Sequence, residues 1–385
     1  MTIYNTGIAV CMCVSAAWGT PFGQDAWFRP LGTIPGGEYS SSVAHDVSDD
    51  GRVVVGRAGG GGITQAFRWT PETGMVGLGD LPGSTFHSDA YAVSGDGLTV
   101  VGRSISYYSG PDGKEAFRWT AETGMEGLGD FWGGDFDSEA EDVSADGSVV
   151  VGKGTVPDIG PPKTEGFRWT EDTWLVGLGQ LYSEGVSHAK GCSADGSVIV
   201  GQASTAGQYT EAFMWTSETG IFGLGDLPGG PPGSVAWAVS ADGSSVVGYS
   251  YTGTWGKPLQ EVYRWTEETG MVGLGFYGWA WDVSADGSVI VGDNDGWVFV
   301  WDEEHGVREL DDILLDGGVD LTGWGIYTAE GVSADGQTIT GAAFNPDGKL
   351  EAYVAHIPEP VTLALLIGSL ACAVRRGLRP PLSPS

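Results

Sequence analysis

One stretch of this chain decides its fold: Ala90-Tyr-Ala-Val-Ser94, Gly-Asp-Gly97, Leu98-Thr-Val-Val-Gly102, a loop, Ala116-Phe-Arg-Trp-Thr120, Ala-Glu-Thr-Gly124 and Met125-Glu-Gly-Leu-Gly129. Its short segments are rich in valine, threonine and aromatic residues, and turn residues separate them, which is the signature of β-strands. Asp-Gly between two such runs indicates a tight hairpin, because glycine tolerates a positive φ. The stretch therefore predicts a four-stranded antiparallel meander.

The same motifs recur along the chain in a fixed order. Ser-x-Asp-Gly occurs seven times, spaced by 44 to 50 residues, at Ser48, Ser94, Ser144, Ser193, Ser240, Ser284 and Ser333. Phe-Arg-Trp-Thr and its relatives centre on Trp69, Trp119, Trp169, Trp215, Trp265 and Trp301, with Ala355 in the seventh place. Leu-Gly motifs lie at Leu78, Leu128, Leu178, Leu224 and Leu274, with weaker copies at Leu31 and Leu310. This period predicts an all-β protein, a seven-bladed β-propeller of four-stranded antiparallel blades.

The two ends of the repeat region complete each other. The region begins with a fourth-strand motif around Leu31 and ends with a third-strand motif, Ala352 to Ile357. Pairing these strands removes the open sheet edge that a linear array would expose. We therefore expect residues 27–357 to form a ring that closes by pairing the N-terminal and C-terminal strands.

The strand pattern also predicts what the blades bury. Phe117 and Trp119 point to one face of their strand, so the repeated tryptophans are expected to pack adjacent blades together. Cys192 occupies the place of Val143 and Val239 in other repeats. We interpret it as a buried small hydrophobic residue rather than a reactive thiol.

Composition excludes several classes of protein. The 385 residues include 66 glycines, and 50 acidic against 18 basic residues give a net charge of −32. Nucleic-acid binders and binders of anionic membrane surfaces need a basic face, so no nucleic-acid partner is expected. A hydrophobic content of 41% with sixteen tryptophans is too high for a disordered chain.

The N-terminus resembles a signal peptide over residues 1–19. Gly7 to Ala17 is a short apolar run, and Ala17-Trp18-Gly19 offers small residues at the cleavage positions. The alternative interpretation is a buried N-terminal strand.

The C-terminus, residues 358–385, has three parts in order: Pro358-Glu359-Pro360, an apolar run over 361–374, and an arginine cluster that includes Arg375 and Arg376. The arrangement resembles the PEP-CTERM sorting signal with its short transmembrane helix. The resemblance implies an exosortase-type sorting enzyme as partner, transient or anchored membrane association through 361–374, and a Gram-negative-type bacterial cell surface or extracellular matrix. A plain tail anchor is the alternative.

The blades themselves resemble two families of repeats. The order of a Ser-x-Asp-Gly turn, a glycine-containing strand, an aromatic-Trp strand and a Thr-Gly turn is similar to WD-repeat propellers. Glu-Ala-Phe at Glu115 and Glu211 makes the blades similar to the bacterial HAF repeat over about residues 27 to 357. These resemblances imply an architecture and no particular ligand.

The turns divide the disc into two faces. The Ser-x-Asp-Gly and Glu-Thr-Gly turns are uniform and lie on one side, here called the constant face. The loops after the second strand and after the fourth strand vary, including Ser104 to Lys114, Phe131 to Ser138 and Tyr251 to Gln260, and they lie on the opposite, variable face. Function concentrates on variable loops over a rigid scaffold. The candidate ligand-binding residues are Tyr107, Tyr108, Trp132, Phe136, Trp255 and Trp279, unless they only pack the loops together.

Metal binding and catalysis have weak signals. Asp135, Asp137, Glu139, Glu141 and Asp142 alternate, and 293–296 reads Asp-Asn-Asp-Gly, but neither segment completes a calcium-loop pattern. We therefore expect no cofactor, with calcium as the alternative. The five histidines show no metal-ligand spacing, and no nucleophile elbow or phosphate loop is present.

These observations lead to one functional expectation. We expect an exported, surface-sorted, non-catalytic propeller that serves as a binding or structural component of the cell envelope or exopolysaccharide matrix. Its ligand, a polysaccharide or an envelope protein, should meet the variable face. The alternative is a polysaccharide hydrolase or lyase that uses the same face.

Overall fold

The computed structural model describes residues 25–83, 87–110, 113–134, 136–157, 163–183, 185–207, 209–254, 257–294 and 296–358. The predicted signal peptide lies outside these residues, as does the predicted sorting signal from Glu359 onward. The described chain forms seven separate antiparallel sheets, and the first strands of successive sheets contact each other in a closed ring. The predicted seven-bladed, all-β propeller is confirmed.

Six blades each take four consecutive strands. The first three comprise β2 Ser41–Val47, β3 Val54–Gly60, β4 Ile63–Thr70 and β5 Gly74–Gly79; β6 Ser88–Val93, β7 Thr99–Ser104, β8 Glu115–Thr120 and β9 Gly124–Gly129; β10 Glu139–Val143, β11 Val150–Val156, β12 Lys163–Thr170 and β13 Trp174–Gly177. The next three comprise β14 Ser187–Cys192, β15 Val198–Ser204, β16 Thr210–Thr216 and β17 Gly220–Gly225; β18 Ser234–Val239, β19 Ser245–Thr254, β20 Lys257–Thr266 and β21 Gly270–Tyr277; β22 Trp279–Val283, β23 Val289–Asn294, β24 Trp297–Asp302 and β25 Gly306–Glu309.

The seventh blade joins the two ends of the propeller. Its inner edge is split into β26 Gly325–Ile326 and β27 Gly331–Val332, followed by β28 Thr338–Phe344 and β29 Leu350–His356, and β1 Trp27–Gly32 forms its outer strand. Trp27 lies opposite His356, and their rings stack with centroids 5.8 Å apart. The Gly32 N–H donates to Glu351 at 2.9 Å across 319 positions of sequence. Closure by the terminal strands is confirmed.

A serine at the start of the next blade fixes this junction. The Ser42 hydroxyl donates to the Gly32 carbonyl and accepts from the Ala352 N–H at 2.9 Å. Equivalent serines make the same two bonds to the preceding blade at Ser88, Ser138, Ser187 and Ser234. The junction that closes the ring therefore has the same polar contacts as the junctions between blades that follow each other in the sequence.

The Ser-x-Asp-Gly turns are stabilised by their own side chains. In the second blade, the Ser94 hydroxyl donates to Asp96, Asp96 accepts the Leu98 N–H, and Ser94 accepts the Thr99 N–H. Gly97 adopts φ 72°, a conformation that favours glycine. The same serine–aspartate bond recurs in all seven blades. Turn chemistry thus accounts for these seven aspartates.

The variable residue of each turn links the blades around the axis. Its backbone N–H, or that of the next residue, donates to the corresponding carbonyl of the following blade at all seven junctions, including Ala334 to Asp49 across the closure. The linked residues are small or short, namely Asp49, Gly95, Ala145, Ala194, Ala241, Ala285 and Ala334. This ring of hydrogen bonds joins the seven blades around the axis at the constant face.

Fully buried aromatic side chains form the centre of each blade. They lie two residues before the repeated tryptophan position, at Phe67, Phe117, Phe167, Phe213, Tyr263, Phe299 and Tyr353. Burying one such ring contributes roughly 1.5–3 kcal/mol. Of the repeated tryptophans, only Trp69 and Trp169 are among the buried residues of the described chain, and the others are half-buried. Cys192 packs at the edge of a core cluster, and burial raises the pKa of its thiol well above the usual value.

Two segments differ from the sequence expectation. The weak Leu-Gly motif at Leu310 is not a strand, because Leu310–Asp316 forms helix α1 and buries Leu310 and Leu314 against the core. Within the predicted loop Tyr251 to Gln260, residues 251–254 and 257–260 instead continue β19 and β20, paired from Tyr251 with Gln260 to Thr254 with Lys257. Among the described residues, no helix is long and apolar enough to cross a membrane.

Candidate ligand-binding site at the channel mouth

Two positions of the innermost segment of each blade lie where neighbouring blades meet around the axis; they belong to the first strand in six blades and lie between β26 and β27 in the closing blade. They lie three and five residues before the serine of the turn, on one side of the strand, while the alanine between them packs in the core in all seven repeats. We call these side chains, with the residues that pair with them, the channel-mouth cluster. The position three residues before the serine holds His45, Tyr91, Glu141, Lys190, Trp237, Trp281 and Glu330. The position five residues before it holds Val43, Asp89, Glu139, His188, Val235, Trp279 and Thr328.

His45 connects three blades. Its Nδ1 lies 2.5 Å from a Glu330 oxygen in the closing blade, and its Nε2 lies 3.2 Å from Asp89 in the second blade. Burial lowers the pKa of His45, but the two carboxylates outweigh burial and raise it to about 10. His45 is therefore an imidazolium at neutral pH, and the pKa of Asp89 is lowered by the same pairing in spite of burial.

Glu139 is surrounded by cations. Arg103 and Lys114 each lie 2.8 Å from one of its oxygens, and Lys153 lies 3.3 Å from the other. Burial raises the pKa of Glu139, but these cations outweigh burial and lower it to about 2. The guanidinium of Arg103 also lies 5.3 Å from the Tyr91 ring. Glu139 therefore holds three cationic side chains in place near the variable face.

Glu141 pairs with the fourth blade. The His188 Nε2–H donates to the Glu141 carboxylate at 2.7 Å, and the Lys190 ammonium lies 3.4 Å away. Burial raises the pKa of Glu141, but His188 and Lys190 outweigh burial and lower it to about 2. Burial also lowers the pKa of His188 and that of Lys190. The carboxylate is therefore held in its ionised form.

The opposite side of the mouth is aromatic. The Trp237 and Trp281 rings meet edge to face with centroids 4.6 Å apart, and Trp279 stacks on Trp281 at 6.3 Å. The Lys190 ammonium lies 4.5 Å from the Trp237 ring, in cation–π geometry. The Trp281 N–H donates to Asp293 at 2.6 Å, whereas the buried Trp237 N–H has no hydrogen-bond partner among the described residues. The mouth thus combines an ionic half with an aromatic half.

Three aspartates lie below this layer, next to a small axial cavity of about 130 Å³. Asp142 accepts the N–H groups of Val143 and of Cys192 in the next blade, and Asp46 and Asp282 make the equivalent bonds. Burial raises the pKa of Asp142 to about 6, that of Asp282 to about 7, and that of Asp46 well above its usual value. Their oxygens are used to join blades.

The structure separates the aromatic residues predicted from the sequence. Tyr107, Tyr108 and Phe136 form a chain of ring contacts, and the two tyrosines are 80% and 76% exposed beside a groove of about 450 Å³. Trp132 is 97% exposed in a neighbouring loop. Trp279 belongs to the channel-mouth cluster, and Trp255 lies outside the described residues.

The acidic residues that the sequence analysis weighed for calcium binding make other contacts in the structure. Glu139 and Glu141 pair with cations and Asp142 bonds to backbone N–H groups, as described above, while Asp135 and Asp295 lie outside the described residues. Among the residues that the structure places, no group of three or more His, Cys, Asp or Glu side chains is arranged to hold a metal ion.

Sequence reasoning missed most of the channel-mouth cluster, although the repeats carry a signal for it. The alanine four residues before each serine is constant, from Ala44 to Ala329, but the positions on either side of it change from charged to aromatic between repeats. Positions that a blade needs for its packing hold similar residues in every repeat. Variation next to a constant core alanine therefore marks side chains that the blade itself does not need.

Comparisons with known proteins find a structural likeness but no sequence match. No family model and no curated protein matches the sequence. Among solved structures, TolB from Acinetobacter baumannii is 11% identical over 83% of this chain and 64% of its own, with a TM-score of 0.41. A TolB structure from Agrobacterium tumefaciens is 14% identical over 84% of this chain and all of its own (100%), with a TM-score of 0.43. Acylaminoacyl peptidase from Pyrococcus horikoshii is 11% identical over 86% of this chain and 54% of its own, with a TM-score of 0.50. At these identities the likeness concerns the propeller fold alone.

Proposed function

We propose that this protein is an exported, surface-sorted propeller that binds polysaccharide at the channel mouth and catalyses no reaction. One observation carries the proposal: five of the chain's 18 basic residues and three of its sixteen tryptophans belong to the channel-mouth cluster or pair with it. The basic residues are Arg57, Arg103, Lys114, Lys153 and Lys190. Tryptophan faces stack on sugar rings, and fixed charged groups select among them.

The ionisation states of the carboxyl groups at the channel mouth favour binding over hydrolysis. A glycosidase needs one carboxylic acid with a raised pKa to protonate the leaving oxygen. The pKa values of Asp89, Glu139 and Glu141 are lowered instead, and each carboxylate is paired with cations. The carboxyls with raised pKa values below them, such as Asp142, accept hydrogen bonds from the backbone.

A glycan array combined with an assay for released reducing ends tests this function. We expect retention of at least one polysaccharide class without release of reducing ends, with or without EDTA. Turnover of any glycan would establish the alternative hydrolase or lyase, and loss of retention with EDTA would establish a calcium requirement. An array without retained glycans contradicts polysaccharide binding and favours an envelope protein as the partner.

The proposed cellular location depends on the two ends of the chain. We propose that the first 19 residues are removed on export and that an exosortase-type enzyme processes the chain near Pro358-Glu359-Pro360 at the cell surface. Mass spectrometry of the mature protein tests both steps. A mature chain that starts at Met1, or one that still ends at Ser385, contradicts the corresponding step.

A further inference from the structure

A pocket of about 270 Å³ opens between the first two complete blades, beside the channel mouth. Its wall includes Arg57, Arg103 and Lys114, together with His87, Thr64 and Asp89. Pockets for drug-sized ligands measure roughly 300–1,000 Å³, so this one has room for a single sugar unit.

The charges around this pocket do not balance. Asp89 lies near His45, Arg57 and Arg103, while Glu139 lies near Arg103, Lys114 and Lys153. Two carboxylates are therefore paired with five cations. When the Glu330 carboxylate beside His45 is also counted, the group keeps a net positive charge. The rest of the chain is strongly acidic, with a net charge of −32.

The cations are held in place but still have donors to offer. Arg57 is 42% exposed and uses one N–H on Asp89 at 3.1 Å; a guanidinium has five such donors. The Lys114 side chain is 38% exposed, and its ammonium uses one donor on Glu139. Asp89 and Glu139 have side chains only 7% exposed. Buried carboxylates that fix half-exposed cations form a preorganised site for an anion.

We propose that this pocket binds the carboxylate of a uronic acid unit, so that the ligand of the channel mouth is an acidic polysaccharide. This inference rests on the proposed polysaccharide-binding function. The uronate carboxylate faces Arg57 and Lys114, and neighbouring sugar units extend toward the aromatic half of the mouth. A carboxylate suits the forked guanidinium donors of arginine, which bind it through two parallel hydrogen bonds.

Titration calorimetry with the purified full chain tests the proposal, with tetragalacturonate and its methyl ester as probes. The ester keeps the sugar rings and removes the charge. We expect the acid to bind at least tenfold more tightly than the ester. Its affinity should fall when ionic strength rises from ~0.1 M to ~1 M, because the Debye length shrinks from about 10 to 3 Å. Equal affinities for acid and ester overturn the proposal.

Two variants examine the pocket itself. Arg57→Gln and Lys114→Gln should each lower the affinity for the acid at least tenfold and leave that for the ester within about twofold, because only the charge-assisted contact is lost. Arg52→Gln is the matched control, since Arg52 pairs with Glu72 on the constant face. Unchanged affinity in both pocket variants overturns the proposal, as does tighter binding of a pentaglutamate peptide, which would assign the pocket to an acidic protein.

The outcomes separate this inference from the proposed function. If the ester and the acid bind equally and both require Trp237, the polysaccharide function stands and the uronate pocket is wrong. If neither probe binds and the glycan array is empty, the proposed function itself fails.

Discussion

His45 in the first complete blade pairs with Glu330 in the closing blade, 285 positions further along the chain. The same imidazole faces Asp89 of the second blade at 3.2 Å. One side chain thus joins three blades at the point where the ring closes, next to the proposed ligand site. This contact links the stability of the closed ring to the charge state of the channel mouth.

The Glu330→Gln variant should be less stable than the wild type. The substitution removes one of the two carboxylates that face the His45 imidazolium and leaves only Asp89. Loss of a charged hydrogen-bond partner costs about 1–3 kcal/mol for a partly buried group. Urea unfolding at pH 6 measures the difference. Glu267→Gln is the control, because Glu267 is exposed in a turn and its replacement makes the same change in net charge. Equal loss in both variants would contradict a specific role for the pair.

Stability should be greater at pH 5.5 than at pH 8.5. His45 has a folded-state pKa of about 10, so its contribution is complete below about 6.5 and is lost as pH rises toward 10. The raised pKa values of Asp142 and Asp282, about 6 and 7, also make the folded state lose stability as pH rises from about 4 through these values. Urea midpoints across this range check the sign.

Stability should fall again in stronger acid. Glu139 and Glu141 have folded-state pKa values of about 2, so their pairing contributes above about pH 4.5 and is lost as pH falls toward 2. The optimum is therefore expected between about pH 4 and 5. A urea midpoint that rises steadily from pH 5.5 to 8.5 would contradict these assignments.

Replacing Trp174 with glycine should stabilise the third blade. Trp174 has φ 56° in a turn where other blades place Gly74, Gly124, Gly220 and Gly270 at φ 64° to 74°. A left-handed conformation costs a non-glycine residue about 1–2 kcal/mol, and the greater freedom of unfolded glycine offsets part of the gain. We expect Trp174→Gly to add about 1 kcal/mol in urea unfolding. Trp132→Gly, also at an exposed tryptophan but outside this group of positive-φ residues, should add nothing, and an equal gain there would contradict the argument.

Deleting residues 27–37 should open the ring. The deletion removes β1, the Trp27–His356 stack and the Gly32 groups that bond to Glu351 and Ser42. Since about 1 kcal/mol shifts the melting temperature of a large domain by 2–4 °C, the loss of several such contacts should lower it by roughly 10 °C or more. An unchanged melting temperature, measured by calorimetry, would contradict closure through β1.

The fold was predictable because its signals are local. The Ser-x-Asp-Gly turn contains its own hydrogen bonds, as in Ser94 and Asp96, and its repetition defines the blades. Closure followed from complementary fragments at the two ends. Helix α1 was not predicted, because Leu310 is buried in a helix as well as it would be in a strand, and its motif is weak.

The candidate site was less predictable because it depends on distant contacts. The sequence pointed to the variable face and to Trp279, but it did not show that Glu141, Lys190 and Trp237 from three successive blades meet around one axis. Such a grouping follows only once the register and the number of blades are fixed. Exposed loop aromatics such as Trp132 are conspicuous in the sequence, whereas the half-buried strand residues look like ordinary blade positions.

The affinity of two tryptophan variants for a polysaccharide retained on the array tests the central claim most directly. Trp237 lies in the channel-mouth cluster and Trp132 lies in an exposed loop of the same face, so the pair distinguishes the mouth from the loop rim. Loss of an aromatic ring that stacks on a ligand ring costs about 1–3 kcal/mol, which is roughly 5- to 150-fold in affinity. We predict that Trp237→Ala lowers the affinity about tenfold or more while Trp132→Ala leaves it within about twofold. Retained affinity in Trp237→Ala together with its loss in Trp132→Ala would contradict the account.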